Sequence, residues 1–521
     1  MKKRFLFVFI MVIGLVLVAC GGDYSELEEE TGSDANADSG GENEVIVAID
    51  QNFVTLDPHD ASDTVSIFGI KSMYESLVEF NEEGDIKPSL AEEYEVSDDG
   101  LEYNFKLREG VLFHSGEEFN ADTIKANYDR IMSNNLRAER NLQFVDSLEV
   151  NGEYEVTFKM KEPFSAMLNK FTMIPMASVK SIEEETVGSK PDGTNNFKYV
   201  EWKQGTTLTV EKFDEYRDED STNVDKLIFQ PVAENGSRVA MLETGEADFI
   251  YPMPQQNVKD FENKEGIVID ESPSSVVRYV SINTHMDQYS DVKVRQAMNH
   301  AINKDAYIDV VKNGFGIPLD STMSPETQYY ESQDLYEYDV EKAKELLAEA
   351  GYEDGFKAEI WANNSSESVK GMQFIQQQLA EIGIEVEVKS MEEGTLSDEI
   401  YTPETPDEAK VQMWYVSWSP SSGDADGATR SLFSSEYFPP NGANTAYYDN
   451  QKVTDWIKEA NLTADEEEQA EIYSNIQSTV YQEAPWLFLA SDKNLSGRNE
   501  NLQGIYVAPD GSVIVKNAQM K

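Results

Sequence analysis

The chain has 521 residues, 40% of them apolar, which is enough for more than one hydrophobic core, so we expect at least two lobes. Its 98 Asp and Glu outnumber 42 Lys and Arg, and the net charge of −56 disfavours nucleic acid and anionic lipid as partners because both would be repelled. The acids can be a solvated surface, but so one-sided a balance leaves self-repulsion that salt must screen, which suggests a halophilic or alkaliphilic source.

Residues 1–20 have the pattern of a lipoprotein signal peptide. A basic start at 1–4 is followed by an apolar run over 5–19, which has the length of a signal peptide and is short for a membrane span. Small residues before Cys20 resemble the lipobox of bacterial lipoproteins, and an ordinary signal peptide with an incidental cysteine is the alternative. We expect a signal peptide over 1–19 and a lipid on Cys20, where two acyl chains suffice for stable anchoring.

We predict that residues 20–43 form a disordered acidic tether, because they are Gly, Ser, Asp, Glu and Asn with almost nothing apolar. Folded sequence begins at 44 with an alternating, strand-like run. Alternation of large apolar and polar residues over 101–107 and 154–160 predicts two further half-buried strands. Between them, Asn120 is predicted to cap a helix.

The second half of the chain is richer in helical patterns. An apolar helical face over 372–382 ends at Gly383, and a strand pattern follows from Ile384. This helix-to-strand step is typical of an α/β layer. Thr463 and Glu466 have the spacing of a capping box and predict the start of another helix.

The sequence contains no catalytic or metal-binding pattern that we can identify. Its four histidines are not at zinc-site spacing, and it has no nucleophile elbow, phosphate loop or dinucleotide fingerprint. The acidic loop at 424–427 lacks the later glutamate of an EF-hand. We therefore expect a protein that is not an enzyme and has no cofactor and no metal.

The stretch 411–433, VQMWYVSWSPSSGDADGATRSLF, combines an aromatic strand with an acidic loop. Alternation places Trp414 and Trp418 on one face of the strand and Tyr415 on the other, so they form either a wall over a ligand or part of a core. A strand that ends in a polar, glycine-bounded loop presents fixed polar groups to a small ligand.

Several segments resemble the dipeptide and oligopeptide substrate-binding proteins of ABC importers, in the order that is usual for that family. They are LDP at 56–58, LAEEYEVSDDGLEYNFKLREGVLFHSGEEFNADTIKANYDRI at 90–131, AMLETGEAD at 240–248, VRQAMNHAINKD at 294–305 and YDVEKAKELLAEAGYEDGF at 338–356.

Other strings are most similar to the glutathione-binding branch of that family. They are FQPVAENGSRVAMLETGEAD from 229, ESPSSVVRYVSIN from 271, FIQQQLAEIGIEVEVKSMEEG from 374 and PPNGANTAYYDN from 439. The chain departs from the family at PDGTNNF, 191–197, where a PVGTGPF-like turn is usual, and at Gly427, where an aromatic residue is common. The resemblance implies that both departures lie where contacts with the ligand can differ from those in the glutathione-binding branch. A general di- or tripeptide binder is therefore the alternative.

The resemblance implies an α/β, two-lobed periplasmic-binding-protein-like fold with an extra α+β subdomain in the first lobe. The lobes would close over a ligand by hinge motion about connecting strands. The implied ranges are 44–280 plus 490–521 for lobe I, about 78–185 for its subdomain, 281–489 for lobe II, and 278–283 and 486–491 for the connecting strands.

The resemblance also implies which charges meet a peptide, whose ammonium and carboxylate must both be paired if they are buried. Acidic residues of this loop bind the ligand ammonium in dipeptide binders, so we choose Asp424 first and Asp426 second, the alternative being aspartates that bond only their own turn. For the ligand carboxylate we choose Arg278, which could instead form an ion pair between lobes, and then Arg430. The remaining candidates lie near the expected cleft: Trp418, Tyr415, Trp414, Trp361, Asn52 and Phe53.

The sequence therefore predicts an extracytoplasmic lipoprotein that delivers glutathione or a short peptide to ABC transporter permease subunits. We expect a monomer that is lipid-anchored to the cell membrane of a Gram-positive bacterium. A carrier of metal chelates such as nickel complexes and a peptide-sensing receptor are alternatives, and a secreted hydrolase is disfavoured because a nucleophile is missing.

Overall fold

The structure is a computed structural model that describes residues 43–81, 84–261, 264–334, 336–420 and 422–521. The predicted signal peptide, the predicted lipidation site Cys20 and the predicted tether up to residue 42 lie outside these residues. Within the described ranges, no helix has both the length and the apolar character needed to cross a membrane.

The helices mostly begin at a residue whose side chain accepts a hydrogen bond from the first turn. Asn120 caps a helix as predicted, in a reciprocal capping box with Thr123. The helices are α1 Thr64–Met73, α2 Ala121–Asn134, α3 Met167–Thr172, α4 Val179–Glu183, α5 Asn235–Thr244, α6 Asp287–Ser290, α7 Val292–His300, α8 Lys304–Val311, α9 Val340–Glu349, α10 Ser366–Ala380, α11 Glu393–Tyr401, α12 Ala425–Phe433, α13 Gln451–Leu462 and α14 Glu466–Glu483.

The strands include the alternating runs that the sequence predicts, which appear as β5 and β7. The strands are β1 Glu44–Ile49, β2 Val78–Phe80, β3 Ile86–Pro88, β4 Ala91–Val96, β5 Glu102–Leu107, β6 Val145–Gly152, β7 Glu155–Met160, β8 Phe197–Lys203, β9 Thr207–Lys212, β10 Lys226–Pro231, β11 Phe249–Tyr251, β12 Ile267–Ile282, β13 Gly316–Pro318, β14 Phe356–Asn363, β15 Ile384–Met391, β16 Met413–Trp418, β17 Trp486–Asn499, β18 Leu502–Gln503, β19 Tyr506–Val507, β20 Val513–Ile514 and β21 Gln519–Met520.

One large sheet runs through the described part of the chain in the order β15-β14-β16-β12-β17-β11-β1-β10-β9-β8, and β13 pairs with β17. The long strands β12 and β17 lie in its middle and pair antiparallel, from Ile267 opposite Asn499 to Ser281 opposite Trp486. Parallel pairs lie on both sides of them, β14 with β15 and β1 with β10. The two long strands therefore link two α/β halves.

Each half of the sheet has its own hydrophobic core. Helices α7 to α10 cover β14, β15 and β16, whereas α1 and the chain end after residue 501 cover β1, β9 and β10. A further core, which we call the α12–α14 core, joins those three helices to β12 and β17 through Tyr279, whose ring stacks on Trp486 at 3.6 Å between centroids.

A separate four-stranded sheet, in the order β4-β5-β7-β6, carries its own aromatic core together with α2 and α3. The rings of Phe105 and Phe171 meet edge to face at 5.2 Å between centroids, and Phe158 lies 4.7 Å from Phe171. This region lies within the predicted subdomain, 78–185. The lobe and subdomain boundaries stay predictions.

One predicted helix start is wrong. Thr463 ends α13 as its C-cap, and its hydroxyl donates to the carbonyl of Glu459 at 2.9 Å. Asp465 begins α14 instead, because its carboxylate accepts the backbone N–H of Glu468 at 2.9 Å. Two helices follow each other so closely here that the cap of one is easily mistaken for the cap of the other.

Candidate ligand-binding site

A cavity of about 300 Å³ lies beside β16, which is within the range of small-molecule sites. Residues 414–418 of β16 form one side, and Glu393 and Tyr401 of α11 contribute to its lining. Arg278 reaches it from β12 because the two strands pair antiparallel, with Arg278 opposite Ser417. The predicted aromatic strand thus lines a cavity, with a cation from the neighbouring strand.

Arg278 is held in place by two carboxylates. Its Nε donates to Asp492 Oδ2 at 2.9 Å, and its Nη1 lies 3.3 Å from Glu367 Oε1. Burial by itself lowers the pKa of Arg278, but Asp492 and Glu367 raise it above the ordinary value, so the guanidinium stays charged. Its Nη2 makes no hydrogen bond with the described residues and is available to a ligand.

A buried lysine completes this group, which we call the Arg278 cluster: Arg278, Lys312, Glu367 and Asp492. Lys312 Nζ lies 3.1 Å from Glu367 and 3.2 Å from Asp492, and its side chain is only 3% exposed. The cluster contains two cations and two anions, so its charges balance without a ligand. Of these four, Arg278 lines the cavity.

The three aromatic residues of β16 all line the cavity but differ in burial. Tyr415 is buried, and its hydroxyl lies 2.6 Å from that of Tyr307. Trp414 and Trp418 are half-buried, as expected for the other face of the strand. Trp418 Nε1 donates to the carbonyl of Gly427 at 3.0 Å, which ties the strand to the acidic loop.

Asp424 is the N-cap of α12 and its side chain is 1% exposed. Its Oδ1 accepts the backbone N–H of Gly427 at 2.7 Å, and its Oδ2 accepts Lys170 Nζ at 2.9 Å and the hydroxyl of Ser422. Burial raises the pKa of this carboxyl, but Lys170 and Ser422 outweigh burial, and the pKa lies below the ordinary value. Asp424 is therefore an ionised carboxylate that already has an ammonium partner.

Asp426 is paired inside its own region. Its Oδ1 accepts Arg430 Nε at 2.8 Å and Asn461 Nδ2 at 2.6 Å. Burial raises the pKa of Asp426 and the neighbouring Asp424 adds to this, whereas Arg430 lowers it. Arg430 is thus occupied by Asp426, and both residues, like Asp424, lie outside the cavity lining. We call Lys170, Asp424, Asp426 and Arg430 the Asp424 cluster.

Three other predicted residues lie outside the cavity lining. Trp361 is buried beside Trp414, and its Nε1 donates to Glu359 at 3.2 Å. The ring of Phe53 packs in a core, 6.0 Å from that of Phe229, and Asn52 is exposed on the loop before it. Packing therefore accounts for Trp361 and Phe53, and their contact with ligand stays a prediction, as does that of Asn52.

Sequence reasoning missed the partners of the chosen charges. Lys170 pairs with a carboxylate 254 positions away, and Asp492 pairs with an arginine 214 positions away. Neither residue stands in a pattern that distinguishes it from other lysines or acids in the sequence. Glu367 had a weak signal, because it follows the helix cap Ser365 directly after β14 and so lies at the end of a sheet strand.

The family of the chain follows from comparison with known proteins. Residues 85–440 match the description "Bacterial extracellular solute-binding proteins, family 5 Middle". The chain is 38% identical over 486 residues to the glutathione-binding protein GsiB of Escherichia coli O1:K1 / APEC, which covers 92% of this chain and 94% of that protein. GsiB of Salmonella typhi is 36% identical over 485 residues, with the same coverage of both chains.

Solved structures share the fold. The DppA protein of Helicobacter pylori, in complex with the peptide STSA, is 26% identical with a TM-score of 0.73 and covers 90% of this chain and 97% of its own. HbpA2 of Haemophilus parasuis is 24% identical with a TM-score of 0.83 and covers 92% of this chain and 100% of its own. These likenesses confirm the predicted α/β, two-lobed fold class. The chain belongs to family 5 of the bacterial extracellular solute-binding proteins, which are transport binding proteins and not enzymes.

Proposed function

We propose that the protein captures glutathione or a short peptide in the cavity beside β16 and delivers it to the permease of an ABC importer. The observation that carries this proposal is the position of Arg278, a fixed cation with a free Nη2 in a cavity walled by Trp414 and Trp418. The glutathione-binding name of the relatives and the peptide bound by the Helicobacter pylori protein support the ligand class.

The ligand carboxylate binds Arg278. A guanidinium is suited to this because it holds a carboxylate through planar, charge-assisted hydrogen bonds. Glu367 and Asp492 fix the group in one orientation, so little side-chain entropy is lost when a ligand arrives. The half-buried rings of Trp414 and Trp418 cover the apolar part of the ligand.

The ligand ammonium binds Asp424, in the acidic loop that Trp418 contacts through Gly427. The hydrogen bond from Trp418 Nε1 to Gly427 holds the acidic loop next to the cavity wall. An ammonium needs a paired anion if it leaves water, and Asp424 is the ionised carboxylate of this loop. Asp426 takes a supporting role, because it already pairs with Arg430.

The lobes close over the ligand about β12 and β17. In this proposal lobe I comprises 44–280 and 490–521, with its subdomain over about 78–185, and lobe II comprises 281–489. The two central strands support this division, because they run from one α/β half of the sheet into the other.

The protein acts on the outer face of the cell membrane of a Gram-positive bacterium, as a monomer. The lipid on Cys20 anchors it, and the acidic segment 20–43 acts as a flexible spacer. The match to an extracellular solute-binding family and the lipobox-like sequence before Cys20 support this location.

Thermal unfolding of the purified protein with added compounds tests the ligand class. A ligand that binds only the folded state stabilises it by about 2.7 kcal/mol at a hundred times its dissociation constant, so the melting temperature must rise. We expect a rise with reduced or oxidised glutathione or with dipeptides such as Ala-Ala, and none with the nickel–histidine chelate. A rise with the chelate alone contradicts the proposal.

A further inference from the structure

A lysine from another region of the fold occupies the acidic loop that we propose for the ligand ammonium. Lys170 lies on α3, beside the aromatic core of the four-stranded sheet. Its Nζ lies 2.9 Å from Asp424 Oδ2 and 2.7 Å from the hydroxyl of Ser422. Asp424, by contrast, begins a helix of the α12–α14 core.

The contact of Lys170 is part of a docked surface and not a chance meeting of side chains. The neighbouring Asn169 donates from Nδ2 to the carbonyl of Ser422 at 3.0 Å. The segment before α3 also reaches the α12–α14 core, because the backbone N–H of Ser165 donates to the carbonyl of Asn461 at 3.1 Å. Lys170 thus belongs to a segment that is joined to the α12–α14 core by the hydrogen bonds of Ser165 and Asn169.

Burial and its present partners leave Asp424 little access for a second ammonium. A carboxylate offers about four acceptor positions, and three of those on Asp424 are taken by Gly427, Lys170 and Ser422. The side chain is 1% exposed, so solvent hardly reaches it. A ligand ammonium can therefore bind Asp424 only in place of that of Lys170.

Lys170 is able to leave, whereas Asp424 is not. The lysine side chain is 16% exposed and has a flexible four-carbon stem that can carry its ammonium into water. After one ammonium has replaced the other, the buried carboxylate is again paired, so the complex does not contain an unpaired buried charge. A ligand whose amino group is acylated cannot make this exchange.

We propose that Lys170 is an internal competitor that a ligand ammonium must displace from Asp424, and that it thereby sets the affinity for ligands with a free ammonium. The proposal rests on the proposed function and deepens it. Lys170 weakens the binding of all ligands with a free ammonium, because Asp424 can accept a ligand only in the fraction of molecules in which Lys170 has moved away. Acylated ligands carry no ammonium that can replace that of Lys170, so they leave the pair of Lys170 and Asp424 intact and Lys170 does not affect their binding.

Calorimetric titration of the full-length protein and its Lys170→Met variant tests the proposal with matched ligands. The ligands are glutathione, Ala-Ala and the N-acetyl derivative of each. We expect the variant to bind both free-ammonium ligands about tenfold more tightly, with no change for the acetylated ones. Lys159→Met is the matched control, because Lys159 pairs with the exposed Glu149 on the same four-stranded sheet, and it should change neither class.

Lys170→Gln provides a second variant if Lys170→Met does not fold, since its amide still donates to Asp424 while the competing charge is gone. An unchanged affinity for free-ammonium ligands, or an equal change for free and acetylated ligands, overturns the role of Lys170, because a merely structural residue moves both classes alike. If the wild-type protein binds none of the four ligands, the proposed function fails, and the role of Lys170 falls with it.

Discussion

The Arg278 cluster and the Asp424 cluster have the same composition, two cations and two carboxylates, but they present opposite charges to a ligand. In the first, Glu367 and Asp492 pair with Arg278, and the arginine side chain remains 23% exposed at the cavity. In the second, cations cover the carboxylates, so that Asp424 is 1% exposed. Arg278 of the first cluster is accessible to a ligand, whereas Asp424 of the second is already paired with Lys170.

The difference shows that the type and position of a charged residue do not decide whether it can bind a ligand; its existing partners also matter. Both clusters are neutral in sum, so each is stable without a ligand. What distinguishes them is which member has a free hydrogen-bonding atom: Nη2 of Arg278 on one side, and no oxygen of Asp424 with comparable access on the other. A ligand adds to the first cluster and exchanges with a member of the second.

The largest effect is expected from Arg278→Met. The substitution removes the cation that the cavity presents, and loss of one partner of a buried charge pair weakens binding by about 2–5 kcal/mol. Calorimetric titration with glutathione or Ala-Ala measures the change. Arg137→Met is the control, because Arg137 is 58% exposed and its ion pair with Asp60 is long, at 3.9 Å. Equal affinities of Arg278→Met and wild type would place the carboxylate elsewhere.

A third buried ion cluster, around Glu75, should affect the stability of the fold without affecting ligand binding. Glu75 has a fully buried side chain and accepts two hydrogen bonds of 2.6 Å from Arg217, with Lys516 at 3.1 Å. Burial raises its pKa, but Lys516 and Arg217 together lower it to about 2. Glu75→Gln should lower the free energy of unfolding at pH 7 by about 3 kcal/mol.

Urea denaturation measures this loss, and calorimetry on the same variant should give the wild-type ligand affinity, since Glu75 does not line the cavity. The pKa of Glu75 is lowered in the folded state, so its contribution is present above the ordinary value of 4.5 and disappears as pH falls toward 2. A loss of affinity as large as that of Arg278→Met would remove the distinction between the clusters.

The two aspartates of the Asp424 cluster should respond to acid in opposite directions. The pKa of Asp424 is lowered, so its carboxylate stabilises the fold above pH 3.8 and less as pH falls. The pKa of Asp426 is raised, so the folded state takes up its proton more readily and its contribution falls as pH rises. Unfolding free energies of Asp424→Asn and Asp426→Asn, relative to wild type between pH 3 and 7, should therefore have slopes of opposite sign; slopes of one sign contradict the assigned pairing.

The smallest effect is expected from Trp418→Phe. The variant keeps an aromatic ring but loses the hydrogen bond to Gly427, which contributes about 1 kcal/mol to stability. Ligand affinity should fall less than tenfold, because the loop that holds Asp424 loses one tie to the cavity wall. Trp456→Phe is the control on α13, outside the cavity lining. Equal losses in the two variants would show that Trp418 has no special role.

Much of the local structure could be predicted from the sequence, because it depends on neighbours in the chain. The strand β5 follows from strict alternation, and the start of α2 follows from Asn120. The failure at Thr463 has the same origin, since two caps stand within three residues and only the structure shows that Asp465 begins the helix.

The candidate site was predictable in its residue types and not in its pairing. Arg278 and the aromatic strand could be chosen from their positions, and they meet because β12 and β16 are neighbours in the sheet. The carboxylates behind Arg278 and the lysine on Asp424 depend on contacts between remote segments, for which a single sequence gives no signal. Whether a charge is free or occupied is therefore a property of the folded protein.

A crystal structure of the protein with Ala-Ala or glutathione tests the central claim most directly. The account predicts the ligand between α11 and β16, with a carboxylate oxygen within hydrogen-bond distance of Arg278 Nη2 and the ammonium on Asp424 in place of Lys170. A ligand bound elsewhere, with Arg278 bonded only to Asp492 and Glu367, would contradict it.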